Sequence, residues 1–134
     1  MTFYRSLMLV DDDADDHEIF LSALENISAS VSCTTAVNGE DALEKLLTKQ
    51  VTPDLIFLDI NMPLMNGPQF LKEIKKHEGL KNIPVIIYST TSAPDAIAET
   101  KELGARDFVS KPESFSQLEQ ILKDILSNHS GKLQ

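Results

Sequence analysis

The chain has 134 residues, 42% of them hydrophobic and 25% charged, with a formal net charge of −9; such values suit one globular domain with one well-developed core. The acidic balance argues against non-specific nucleic-acid binding, which needs a basic footprint, and fits solubility and the steering of basic partners. No apolar run is long enough to span a bilayer, so no membrane role is expected. Met1 to Arg5 runs straight into a strand pattern rather than a signal peptide, and Cys33 is the single cysteine, which suits a reducing cytoplasm.

Strand and helix patterns alternate along the chain without an internal repeat or a low-complexity linker. Residues 1–134 therefore read as one domain, with a polar tail from about residue 128. Arg5 to Val10 predicts the first strand. Ala14 to about Asn26 predicts a helix with Ile19, Phe20, Ala23, Leu24 and Ile27 on one face. Val31 to Val37 is short and β-branched, a second strand. Asn38-Gly39 makes a turn, and Glu40 to Gln50 predicts a helix burying Ala42, Leu43, Leu46 and Leu47. Asp54 to Asp59 is the third strand, followed by a loop from Ile60 to Gly67. Pro68 suits a first helical turn, and Phe70, Leu71 and Ile74 form that helix's buried face.

Val85 to Ser89 is the fourth strand. Pro94 starts a helix with Ala96, Ile97 and Leu103 as its apolar positions, and Gly104 stops it. Arg106 to Ser110 is the fifth strand. Ser114 and Gln117 have the spacing of a capping box before Phe115, Leu118, Ile121, Leu122, Ile125 and Leu126, the strongest helical stripe in the chain. Short apolar strands between helices predict a five-stranded, doubly wound parallel α/β sheet. In such a sheet, ligands bind outside the carboxyl ends of the strands.

The residues at those ends share one kind of chemistry. Asp11, Asp12 and Asp13 end the first strand, Asp59 the third, Ser89 the fourth, and Lys111 with Pro112 the fifth. For Asp15, Asp16 and Glu18 the simpler reading is a solvated first turn whose acids suit the helix dipole. Asp11 and Asp12 read differently. Adjacent carboxylates about 4 Å apart repel by on the order of 4 kcal/mol at a surface-like dielectric, and a hard divalent cation with oxygen ligands removes that cost. Asp13 stays open between ligand and turn residue.

Asp59 is the acid at the tip of the most apolar strand and the candidate nucleophile, because a carboxylate can attack phosphorus to give an acyl phosphate. Ser89 would face the phosphate as a donor, and Lys111 would bind a phosphoryl oxygen as a point charge. Whether the Lys111–Pro112 bond is cis stays open. Cys33 reads as a small core residue, His17 as an exposed or partner-facing residue rather than a ligand, and His77 and His129 as surface residues. No Walker or dinucleotide glycine pattern occurs, and Asp59-Ile60-Asn61 lacks the second Asp of a haloacid-dehalogenase-type phosphatase.

The ordered set Val10-Asp11-Asp12, Leu58-Asp59-Ile60-Asn61-Met62-Pro63, Asn66-Gly67, Ser89 and Lys111-Pro112 resembles the CheY-like receiver domains of two-component response regulators over nearly the whole chain. The resemblance implies the flavodoxin-like strand order 2-1-3-4-5. It implies Asp59 as phosphoacceptor, and Mg²⁺ held by Asp11, Asp12, Asp59 and the backbone carbonyl of Asn61. Lys111 would contact the phosphoryl group, with Ser89 as switch hydroxyl and Phe108 as switch aromatic. A histidine kinase or phosphotransfer protein would donate the phosphoryl group, with the receiver itself helping to catalyse the transfer. Output would pass by protein contact through the face of the fourth helix, fifth strand and fifth helix, which could also pair two copies. Ser89 stands where Thr is commoner, Phe108 where Tyr is common, and Thr90 where a smaller residue often sits.

The leading expectation is thus a cytoplasmic phosphorylation switch without an attached output domain. The enzyme-class alternative is a small Mg²⁺-dependent phosphohydrolase working through aspartyl phosphate. A third is an interaction module independent of phosphorylation, which the intact acid, hydroxyl and lysine set disfavours.

Overall fold

The computed structural model describes residues 4–28, 30–91 and 93–127; the expected polar tail from residue 128 and His129 lie outside them. In chain order the elements are β1 (Ser6–Val10), α1 (Ala14–Ile27), β2 (Ser32–Ala36), α2 (Gly39–Leu47), β3 (Leu55–Leu58), α3 (Gly67–Ile74), β4 (Val85–Ser89), α4 (Pro94–Glu102), β5 (Asp107–Ser110) and α5 (Phe115–Ser127). The strands form one parallel sheet in the order β2-β1-β3-β4-β5. This is the doubly wound α/β fold that the alternation predicts.

The sheet is buried on both faces, which is why β1, β3 and β4 are continuous apolar runs rather than alternating ones. Successive side chains point to opposite faces. Leu7, Leu9, Leu55, Phe57, Ile86 and Tyr88 therefore pack with Phe20 and Leu24 of α1 and Leu118, Leu122 and Ile125 of α5. Met8, Val10, Ile56, Leu58, Val85 and Ile87 pack with Ala42 and Leu46 of α2 and Phe70, Leu71 and Ile74 of α3. Removing one of the fully buried phenylalanines, such as Phe57, would cost about 3–5 kcal/mol.

The helix starts follow their cap chemistry. Asp13 Oδ1 accepts from the Asp15 amide at 2.8 Å and caps α1, which gives the residue left open in the sequence a structural task. A reciprocal capping box forms at α3 between Asn66 and Gln69. At α5 the expected pair supplies one half, the Gln117 amide donating to Ser114 Oγ at 3.2 Å.

Four residues assigned to buried helix faces lie exposed instead: Ile19, Leu47, Ile97 and Phe115. In α4 the buried position belongs to Thr100, whose hydroxyl is satisfied by donating to Ala96 O at 2.9 Å. No helix among the described residues is long and apolar enough to cross a membrane.

Candidate functional site

The strand register that builds the sheet also gathers the site. Val10 and Leu58 are partners in the β1–β3 ladder, so Asp11 and Asp59 leave the sheet side by side. The ladder continues through both, with the Asp59 amide donating to Val10 O at 2.9 Å and the Asp11 amide to Ala36 O at 3.0 Å. The Lys111 amide donates to Ser89 O at 2.8 Å, which anchors the end of β5 in the same way. Asp11, Asp59 and Lys111 have the parity of Leu9, Phe57 and Val109 and so fall on the α1–α5 side. Ser89 has the parity of Ile87, on the α2–α3 side.

Carboxylate oxygens of Asp11, Asp12 and Asp59 come within 4.8 Å of one another. Asp11 is 0% exposed, Asp59 is also buried, and Asp12 is exposed, so the group opens to solvent on one side. Three converging hard oxygen donors fit a hard divalent cation better than a thiophilic one. Burial pushes the Asp11 carboxyl above its ordinary range, and the hydrogen bonds from Lys111 and the Asp13 amide only partly offset it. A bound cation would relieve that same strain.

Lys111 closes the site from β5. Its Nζ lies 2.8 Å from Asp11 Oδ2, 2.7 Å from Asp16 Oδ2 and 3.6 Å from Asp59 Oδ2. It also stands 5.5 Å from the centre of the Tyr88 ring, a cation–π contact. Burial alone would lower the lysine's pKa, yet the hydrogen bonds to Asp11 and Asp16 raise it above the ordinary lysine range. The ammonium is therefore fully charged at neutral pH. Tyr88 packs edge-on against Phe20 and Phe57, and burial pushes its phenol up to about 12.

Asp59 Oδ1 accepts from the Ile60 amide at 2.8 Å, which leaves Oδ2 as the oxygen facing Lys111. The loop after Asp59 folds back on itself, with the Gly67 amide donating to Ile60 O at 2.9 Å. The Gly39 amide donates to Met65 O at 3.0 Å and ties the same loop to α2. Leu64 holds φ at 68° in this loop and is 74% exposed, an unusual backbone conformation for a leucine. Asn61 stands exposed two residues beyond Asp59.

Ser89 is 0% exposed and its Oγ accepts from the Thr91 amide at 3.4 Å. Thr90 is exposed. Phe108 is half-buried against the α2–α3 core, beside a cavity of about 140 Å³ that Ile97 and Thr100 also line. No peptide bond among the described residues is cis, so Lys111–Pro112 is trans.

The structure thus brings Asp11, Asp12, Asp59 and Lys111 to one place and puts Ser89 at the neighbouring strand tip. It corrects the reading of Asp16 as a solvated first-turn acid, since that carboxylate is paired with Lys111. It also corrects His17, which is half-buried and donates from Nε2 to Asp11 O at 2.6 Å. Asp16 and Lys111 are 95 residues apart in sequence, so no local pattern could couple them. Ile19 and Phe115 line a groove of about 320 Å³ beside Lys111, which accounts for their exposure.

This fold recurs in known proteins. Residues 7–123 match the family described as response regulator receiver domain. The phosphorylated cyanobacterial phytochrome response regulator RcpA is 33% identical, with a TM-score of 0.81 over 90% of this chain and 89% of that one. The Mn²⁺-bound form of response regulator Rcp1 is 25% identical, with a TM-score of 0.80 over 92% and 96%. CheY4 of Vibrio cholerae is 28% identical, with a TM-score of 0.76 over 89% and 96%. Among curated relatives, a protein-glutamate methylesterase/protein-glutamine glutaminase of Clostridium acetobutylicum is 37% identical over 90% of this chain and 34% of its own length. The transcriptional regulator NtrC of Escherichia coli is 34% identical over 94% of this chain and 26% of its own length. The chain thus spans about a quarter to a third of the curated relatives it matches. The match across residues 7–123, joined to the parallel 2-1-3-4-5 sheet, establishes that the chain belongs to the response regulator receiver domain family of two-component systems.

Proposed function

We propose that this chain is a phosphorylation-activated signalling switch in which Asp59 accepts a phosphoryl group from a histidine kinase or histidine phosphotransfer protein. The observation that carries the reading is the joint approach of three carboxylates and one half-buried ammonium at the sheet edge. An Asp59 oxygen forms the new O–P bond while the donor's bond to phosphorus breaks and its leaving group departs with the electron pair. Asp11, Asp12, Asp59 and the Asn61 carbonyl are the residues that would hold Mg²⁺. That ion supplies positive charge where an anionic donor meets an anionic site. Lys111 stabilises the transferred oxygens, and the chain catalyses only its own phosphorylation and dephosphorylation.

The phosphoryl group adds about −1.5 to −2 charges and strong acceptor oxygens. Ser89 turns toward it, and Phe108 moves into the space vacated; the cavity beside Phe108 supports that room to move. One charge-assisted hydrogen bond, worth about 1.5–3 kcal/mol, falls short of the roughly 5.5 kcal/mol needed to invert a 1:99 population. A protein partner that binds the active α4–β5–α5 face supplies the remainder. That face is also the one through which two copies would pair. The whole chain acts as one cytoplasmic receiver unit, without membrane or nucleic-acid contact.

Incubation with acetyl phosphate and Mg²⁺, followed by intact-mass measurement, tests the reading. One phosphoryl group per chain is expected, dependent on metal. Continuous release of inorganic phosphate from varied phosphate esters would favour a phosphohydrolase instead.

A further inference from the structure

Asp16 lies outside the three-carboxylate group, on the first turn of α1, yet its Oδ2 makes the shortest contact of the Lys111 ammonium, 2.7 Å. A lysine ammonium has three N–H donors on a flexible four-carbon stem. Asp11 and Asp16 take two of them, and Asp59 Oδ2 stands 3.6 Å away, beyond hydrogen-bond length. Asp11 is a divided anchor, because its other oxygen accepts from the Asp13 amide and it belongs to the carboxylate group. The Tyr88 ring limits the ammonium on a further side.

We propose that Asp16 is a positioning residue for phosphoryl transfer: anchoring Lys111 from α1, it holds the ammonium where an oxygen of a phosphoryl group on Asp59 would meet its third donor. This inference rests on the reading of Asp59 as phosphoacceptor. Two effects of opposite sign separate it from a charge effect alone. Removing one negative charge near an anionic donor should speed phosphorylation, whereas releasing Lys111 should slow it.

The experiment measures the rate of Asp59 phosphorylation by acetyl phosphate with Mg²⁺ in Asp16→Asn, Asp16→Glu and Asp15→Asn. Asp15 is exposed on the same turn, so Asp15→Asn removes an equal charge without touching Lys111. Asp16→Asn is expected to slow the rate about tenfold. Asp16→Glu should return it to within about threefold of the parent, and Asp15→Asn should not slow it. A second readout uses the metal-free protein: the Lys111 ammonium resonance in ¹H–¹⁵N spectra should persist in the parent and Asp16→Glu and vanish in Asp16→Asn. If Asp16→Asn proves unfolded, Asp16→Ala, which helix propensity favours, replaces it.

A phosphorylated parent together with an Asp16→Asn rate equal to or above it would overturn the role of Asp16 alone. So would an equal slowing in Asp15→Asn, or a Lys111 resonance that survives in Asp16→Asn. A parent that takes no phosphoryl group on Asp59 would instead overturn the proposed function, and this inference with it.

Discussion

A Cβ added to Gly67 would come within 2.6 Å of the Asp59 carbonyl oxygen and 2.9 Å of Ile60 Cα. The β3–α3 loop therefore closes onto the residue that carries Asp59, and only a glycine leaves room for it. Neither obstacle is a flexible side chain, so the backbone itself would have to shift. Gly67→Ala is expected to lower stability by about 1–3 kcal/mol, read as a lower urea midpoint, and to weaken metal binding through displacement of Asp59. An unchanged midpoint with unchanged metal affinity would show that the loop is not closed in this way.

The buried Asp11 should make the metal-free protein less stable at neutral pH than it could be. Its folded-state pKa lies above the ordinary 3.8, chiefly through burial. A raised folded value gives stability that is full below the unfolded value and is lost as pH rises through the folded one. Asp11→Asn removes the buried charge and leaves Lys111 only a weaker, neutral acceptor there. It should raise stability at neutral pH, with the gain fading as the pH falls to about 4. Urea titrations across this range check the sign; a lower midpoint at neutral pH would contradict it.

Asp12 offers the contrasting case. It is exposed, so Asp12→Asn should leave stability within about 0.5 kcal/mol. As one of the three converging carboxylates it should still matter to the cation. Supporting groups around metal ligands cost about 10–100-fold in affinity when removed, so a ligand itself should cost at least about tenfold. Calorimetric titration with Mg²⁺ measures the affinity, and urea unfolding of the metal-free protein measures the stability.

Ser89 should separate phosphorylation from response. Its Oγ makes one long contact, with the Thr91 amide at 3.4 Å, so Ser89→Ala should cost under about 1 kcal/mol. The variant should still take a phosphoryl group, while the chemical-shift change at Phe108 on phosphorylation shrinks. A full Phe108 response in Ser89→Ala would rule out the hydroxyl as the link.

Much of this architecture is legible in the amino-acid sequence itself. Val85–Ser89 reads as a strand with the same limits in both, because a continuous apolar run buried on two faces admits few alternatives. Asp11, Asp12, Asp59, Ser89 and Lys111 were legible as candidates because each lies at or just past the end of a strand, and parallel strands bring their ends together. Helix margins were less legible. Ile19 and Phe115 match the stripe by spacing, but a groove opens between α1 and α5 at their level. The partners of the site were not legible at all. Asp16 has the composition of a helix-start acid, and its task comes from a lysine brought near by tertiary folding. Leu64 at φ 68° likewise departs from local preference, held in a loop fastened by Gly39 and Gly67.

The most direct test of the central claim is to locate the phosphoryl group chemically. After exposure to acetyl phosphate and Mg²⁺, borohydride reduction converts an acyl phosphate on aspartate to homoserine, and peptide mass spectrometry then finds the position. The account predicts homoserine at position 59, absent in Asp59→Asn and absent without the metal. Reduction at another aspartate, or at none, would contradict it.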